Sequence, residues 1–143
     1  MAEDVVDSPV GWVARHIGSY VDSDGKSGHH FHGVDALLLT TRGRRSGKLR
    51  RTALYYGSRH GAYVVVASNG GSVGHPLWYR NLVADPRVTV QVKDDVFEAV
   101  ARTAAGEERA ELWSMMARTF PNYTRYQAMV EREIPVVVLT RSA

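Results

Sequence analysis

The chain has 143 residues, 44% of them hydrophobic and 23% charged, with a formal net charge of +3 and no cysteine. That balance describes one compact domain with a usable core, not a disordered chain. It excludes disulfides, thiol nucleophiles, thiolate zinc sites and cysteine-held iron–sulfur clusters. The apolar runs Ala36–Leu39 and Ala62–Ala67 fall far short of the roughly 20 residues a membrane-spanning helix needs. The acidic start Met1-Ala2-Glu3-Asp4 has no secretory h-region, so the expected location is cytoplasmic.

Trp12, Val13, His16, Ile17 and Tyr20 share one face of a short helix between Val10 and Val21. The polar, glycine-containing stretch from Asp22 to Gly33 reads as a loop. Strands follow at 35–41 and 51–56, and the segment between them is the connection of a β-hairpin. After a turn at 57–61 comes an apolar strand at 63–68, then a glycine-rich loop at 69–74. His75 to Val83 predicts a helix with Pro76 in its first turn, stopped by Asp85-Pro86. Residues 87–93 and 96–104 form a further hairpin around Asp94-Asp95. Glu107 and Glu108 suit a helix N-terminus, and that helix ends at Pro121. Asn122 starts another helix, and 135–140 closes the chain as a buried strand. The pattern is mainly β with inserted helices: about six antiparallel strands in a small barrel, without internal repeats.

Charge is unevenly placed. Arg42, Arg44, Arg45, Lys48, Arg50 and Arg51 lie within ten positions, and the rest of the chain carries fewer cations than its 15 anions. A local basic patch suits an anionic ligand. Gly43-Arg44-Arg45-Ser46-Gly47-Lys48 is not a Walker motif, which needs four residues between the glycines and Ser or Thr after the lysine. Turn amides, the Ser46 hydroxyl and guanidinium groups can still converge on an oxyanion. A solvated hairpin tip is the plain alternative. Nucleic acid is disfavoured, because no aromatic residue interrupts the basic run.

Ser68-Asn69-Gly70-Gly71 allows close approach of backbone to a flat ligand, or is simply a turn. Trp78 and Tyr79 read as core anchors on a short helix. His29, His30 and His32 lack the convergent ligand set a metal needs, and no metal is expected. Phe120, Tyr123 and Tyr126 recur every three residues. They suit either a core stripe or a wall that stacks on planar substrates and donates hydrogen bonds.

In order, Thr40-Thr-Arg-Gly-Arg-Arg-Ser-Gly47, Leu54-Tyr55-Tyr56, Val66-Ala67-Ser68-Asn69-Gly70-Gly71, His75-Pro76-Leu77-Trp78-Tyr79-Arg80-Asn81-Leu82, Asp85-Pro86 and Ile134-Pro135-Val136-Val137 resemble the deazaflavin-dependent nitroreductase family of actinobacteria. The resemblance covers about residues 35–140. It implies a split β-barrel of the FMN-binding type over residues 34–143, with residues 1–33 as an N-terminal arm. It also implies coenzyme F420, an 8-hydroxy-5-deazaflavin with a polyanionic phospholactyl oligoglutamate tail.

On that resemblance, Arg44, Arg45, Ser46, Lys48 and Arg50 are the expected tail contacts. Tyr55, Ala67, Ser68 and Asn69 would lie along the ring, with Leu77 and Trp78 closing the pocket. Lysine is common in the family at the position of Asn69. Tyr55, Phe120, Tyr123 and Tyr126 would form the acceptor wall, with Phe120 where a related nitroreductase carries tyrosine. Ser68, Tyr123 and Tyr126 are the candidate donors to developing oxyanion charge.

The implied activity is hydride transfer from reduced F420 to quinones or other activated alkenes such as enones and unsaturated lactones, with nitroaromatics as a further class. Alternatives are a non-catalytic F420- or flavin-binding protein and a nucleic-acid-binding protein using the basic hairpin. The N-terminal arm is a candidate peripheral contact with the inner face of the membrane. Monomer and homodimer both remain open.

Overall fold

The computed structural model describes residues 4–31 and 33–142. His32 of the histidine cluster lies outside the described residues. The strands are β1 (Val5–Asp7), β2 (His30–Phe31), β3 (Val34–Arg42), β4 (Leu49–Tyr55), β5 (Gly57–Arg59), β6 (Ala62–Val66), β7 (Arg87–Val92), β8 (Asp95–Thr103) and β9 (Val136–Arg141). The helices are α1 (Gly11–Asp22), α2 (Leu77–Ala84), α3 (Gly106–Thr119) and α4 (Asn122–Ala128).

Eight strands follow the order β1-β4-β3-β7-β8-β9-β6-β5, and β2 pairs separately with β3. This corrects the expectation of about six antiparallel strands closed into a barrel. Hydrogen bonding leaves β1 and β5 as open ends, and β1 joins β4 in parallel, Val5 opposite Leu49 and Asp7 opposite Arg51. The extra strands are short and lack a pattern of their own. β1 is three residues held by its register and by Asp7, which accepts two hydrogen bonds from Arg51 at 2.6 and 3.2 Å. β5 lies in the stretch read as a turn. The turn itself is His60-Gly61, with φ of 52° and 79°, the pair of positive values a tight two-residue hairpin requires.

The six long strands form where alternation (β7, β8) or a continuous apolar run (β3, β6, β9) calls for them, with β4 paired to β3. Val88, Val90, Phe97, Ala99, Ala101, Leu37, Leu39, Val65, Val137 and Leu139 meet in one core, so the sheet curls around its concave face. Trp78, Tyr79 and Leu82 of α2 pack against this core. Outside β6 and β9, helices α3 and α4 bury Leu112, Met116 and Tyr123 against Val64, Val66, Val136 and Val138. Outside β3 and β4, α1 buries Ile17 and Tyr20 against Leu38 and Ala53.

The histidine loop is tied into this frame by two side-chain contacts. His29 Nε2 and the Tyr56 hydroxyl are 2.7 Å apart, while His30 Nδ1 lies 2.9 Å from Asp35. Burial pushes the Tyr56 phenol up to about 12, so it stays protonated at neutral pH. Burial also lowers His29 below the ordinary histidine value.

Two measurements check this account. Leu39 is fully buried at the centre of the sheet, and Leu39→Ala should cost about 2–5 kcal/mol in chemical denaturation. His29 is neutral in the fold and protonates more readily when unfolded, so its share of stability is present above about pH 6.5 and lost as pH falls below that value. A denaturation series from pH 7.5 to 5 should show that loss, and His29→Gln should make it smaller.

Candidate functional site

The β3–β4 connection is a turn locked from within. Gly43 N–H donates to the Lys48 carbonyl at 2.7 Å, Gly47 N–H donates to the Gly43 carbonyl at 2.8 Å, and the Ser46 hydroxyl accepts Lys48 N–H at 3.2 Å. A Cβ on Gly43 would sit 2.7 Å from Ser46 Oγ and 3.1 Å from the Lys48 carbonyl oxygen, so a side chain here would press on the bonds that close the turn. From outside, Asn81 of α2 accepts Arg44 N–H at 3.2 Å and donates to the Thr41 hydroxyl at 3.1 Å. The basic segment is therefore fixed to both β3 and α2.

A cavity of about 550 Å³ opens beside it. Arg44, Arg45, Ser46 and Arg50 line its basic side and Trp78, Leu77 and Asn69 its other side, with Gly43, Arg51, Thr52 and Asn81 also in the lining. The N-terminal segment Val6–Val10 supplies a further wall. Asp7 occupies Arg51, but no carboxylate among the described residues pairs with Arg44, Arg45, Lys48 or Arg50. Such cations, next to an aromatic and an exposed leucine (Leu77, 71% exposed), suit a long anionic ligand with a flat apolar head.

Of the residues singled out in the sequence, this cavity brings together Arg44, Arg45, Ser46, Arg50, Asn69, Leu77 and Trp78. Lys48 is exposed at the turn and is not part of the lining. Ala67 and Ser68 are buried at the end of β6, one step from Asn69, and also stay outside the lining.

Tyr55, Phe120, Tyr123 and Tyr126 gather in a second group. The Phe120 ring lies 5.0 Å from Tyr55, 5.0 Å from Tyr123 and 6.4 Å from Tyr126, centroid to centroid. Tyr123 is only 4% exposed and packs into the core under α3 and α4; burial drives its phenol far above the ordinary tyrosine value. Tyr55 is raised by the same cause. Tyr126 is half-buried and reaches the glycine loop, where a Cβ on Gly71 would meet its ring at 3.3 Å. The loop thus connects the aromatic group to the cavity through Asn69.

The sequence did not single out Asn81, Thr52 or the stretch Val6–Val10 as site residues, and Arg51 entered only as one of the clustered cations. For Asn81 a signal existed: a polar residue between Trp78 and Leu82 on the buried face of a helix needs a specific partner. A second cavity of about 500 Å³ lies between β5, β6, β9 and α3. Both of its arginines are paired, Arg59 with Glu111 at 3.0 Å and Arg102 with Glu108 at 2.5 Å, and Glu107 adds a further carboxylate, so it does not suit an anion. No group of three or more metal-ligating side chains converges among the described residues, and none of the described helices is long and apolar enough to cross a membrane.

Residues 12–141 match the family described as F420H(2)-dependent quinone reductase. A quinone reductase of that description from Mycobacterium tuberculosis is 37% identical over 143 aligned residues, covering 91% of this chain and 96% of the relative. An F420-dependent reductase of known structure, FDR-A, superposes with a TM-score of 0.68 at 41% identity over 73% of this chain and 92% of its own. Another solved structure, described as a domain-swapped dimer, gives a TM-score of 0.69 at 37% identity over 92% of this chain and 99% of its own. With that match spanning most of its length, and with a basic turn, an aromatic-lined cavity and a glycine loop held together by one curled sheet, the chain belongs to the F420H(2)-dependent quinone reductase family.

Proposed function

We propose that this protein binds reduced F420 in the basic cavity and reduces a quinone at its aromatic end. The observation that carries this reading is the cavity itself, where Arg44, Arg45 and Arg50, without carboxylate partners among the described residues, open onto Trp78 and the Asn69 loop. The arginines hold the polyanionic tail through bidentate bonds, and the locked Gly43 turn keeps them in place with little loss of backbone freedom on binding. Ser46 and Lys48 add contacts from the turn. Trp78 and Leu77 would cover one side of the ring and Asn69 would meet its edge, with Ala67 and Ser68 behind Asn69 in the loop and Tyr55 leading to the acceptor wall. Residues 34–143 form the cofactor-binding unit, and the 1–33 arm contributes β1 and the following residues as the outer wall.

When bound, reduced F420 supplies a hydride. The protein then has to hold an acceptor parallel to the ring, exclude water and stabilise negative charge on the acceptor oxygen. Phe120 and Tyr55 offer flat apolar surface for the first task. Tyr126, beside the glycine loop, and Ser68 are the donors for the last. Tyr123, buried beneath Phe120, backs this wall from the core side. Quinones suit this wall best, since their carbonyl oxygens gain charge as the ring is reduced; enones and unsaturated lactones share the same electronic demand. Val10, Trp12 (58% exposed) and Leu77 sit on or next to the cavity wall, an apolar rim for contact with a membrane that holds lipid-soluble quinones.

Stopped-flow oxidation of reduced F420 by a short-chain quinone tests this reading. Wild-type protein should turn over, whereas failure with every quinone tried would contradict it. Arg44→Ala/Arg45→Ala should raise the F420 Kd about tenfold or more at low salt, with a smaller effect at high salt. Tyr126→Phe should lower kcat about tenfold with little change in F420 affinity.

A further inference from the structure

The loop from Ala67 to His75 carries an unusual backbone. Asn69, Gly70 and Gly71 have φ of 51°, 62° and 81° in succession, the left-handed region three times running. Glycine adopts that conformation freely and asparagine more readily than other residues, so the bonds around the run decide whether the chain holds it. Internal bonds are few. Gly71 N–H donates to the Ser68 carbonyl at 2.9 Å, Ser72 N–H to the Asn69 carbonyl at 3.0 Å, and the Asn69 side chain to the Gly74 carbonyl at 3.0 Å.

The enforcing group comes from the connection between α4 and β9, some 60 residues along the chain. The Arg132 guanidinium donates to the Ser68 carbonyl at 2.9 Å, the Ala67 carbonyl at 3.3 Å and the Ser72 carbonyl at 3.1 Å, and bonds His75 Nδ1 at 2.9 Å. Its fork therefore grips the chain both before and after the left-handed run. Arg132 is braced in turn: Gln127 of α4 donates to its carbonyl at 2.8 Å and accepts Ile134 N–H at 2.9 Å. Gln127 directly follows Tyr126, so the clasp also sets the spacing between the loop and the aromatic wall.

We propose that Arg132 is a positioning residue that fixes the Ala67–His75 loop in its left-handed form and so presents Ser68 and Asn69 to the cofactor ring. This rests on the proposed use of the basic cavity for F420. A trans peptide points its N–H opposite to its C=O. Carbonyls of Ala67 and Ser68 turned toward Arg132 thus direct the N–H groups of Ser68 and Asn69 away from it. Only arginine has a planar fork with enough donors for three carbonyls and an imidazole. Lysine keeps the charge but can serve fewer of them in a fixed geometry.

The test pairs amide hydrogen exchange of the ligand-free protein with equilibrium F420 binding followed by cofactor fluorescence. Arg132→Gln should speed exchange in residues 67–75 at least about tenfold while β7 and β8 stay protected, and should raise the F420 Kd about tenfold. Arg132→Lys should recover part of both effects; it also carries the test if the glutamine variant fails to fold. A deazaflavin without the anionic tail separates this role from charge attraction: Arg132→Gln should weaken it as much as F420, whereas Arg44→Ala/Arg45→Ala should leave it unchanged. Unchanged loop exchange, or a ring affinity within twofold of wild type, would overturn the proposal. Failure of wild-type protein to bind F420 at all would instead overturn the cofactor reading, and the positioning role with it.

Discussion

Positive charge without a partner, held in a rigid turn, is the constraint on which the rest of the site depends. Arg44, Arg45 and Arg50 repel one another, and no carboxylate among the described residues relieves them. A flexible hairpin would let them splay into water. Here the Gly43–Lys48 bonds close the turn, and Asn81 ties Arg44 N–H to α2. The neighbouring Arg51 is neutralised by Asp7, which uses that pair to anchor β1. One basic run thus serves two ends: its last arginine holds the N-terminal wall, and Arg44, Arg45, Lys48 and Arg50 meet no carboxylate among the described residues.

The second element is geometric separation. The basic cavity and the aromatic group around Phe120 are distinct clusters, joined by the loop that follows β6. Glycines let that loop pass close to Tyr126 and Met129, where a Cβ on Gly71 would meet Met129 Sδ at 3.1 Å. A ligand long enough to touch both clusters must lie against the loop. The loop's conformation therefore bears on cofactor and acceptor together, which is why its grip by Arg132 and the brace from Gln127 matter more than their distance along the chain suggests.

Much of this was legible in the residues. The long strands announce themselves by alternation, as in Val88, Val90 and Val92 against Thr89, Gln91 and Lys93, or by short apolar runs such as 63–68 and 135–140, and the clustered arginines mark an anion site through charge density alone. β1 and β5 were not legible, because three-residue strands have no period to detect and exist only through pairing with β4 and β6. Closure was misjudged for a related reason: hairpin pattern gives neighbours but not whether the last strand returns to the first. Tyr123 shows the limit of spacing, since a three-residue repeat of aromatics cannot tell the exposed edge of a wall from its buried floor. Arg132 gave no signal at all. It is a single arginine between two glutamates, and its meaning lies in carbonyls some 60 positions away.

The most direct test of the account is where F420 lands. At 15.9 kDa the protein suits residue-resolved amide NMR during a titration with the cofactor. The account predicts that the largest shift changes fall at 43–50, 68–71, 77–81 and the 6–10 wall, with saturable binding. Changes centred instead on the ion-paired cavity of Arg59, His60, Arg102 and Glu111, or scattered weakly over the surface, would contradict it.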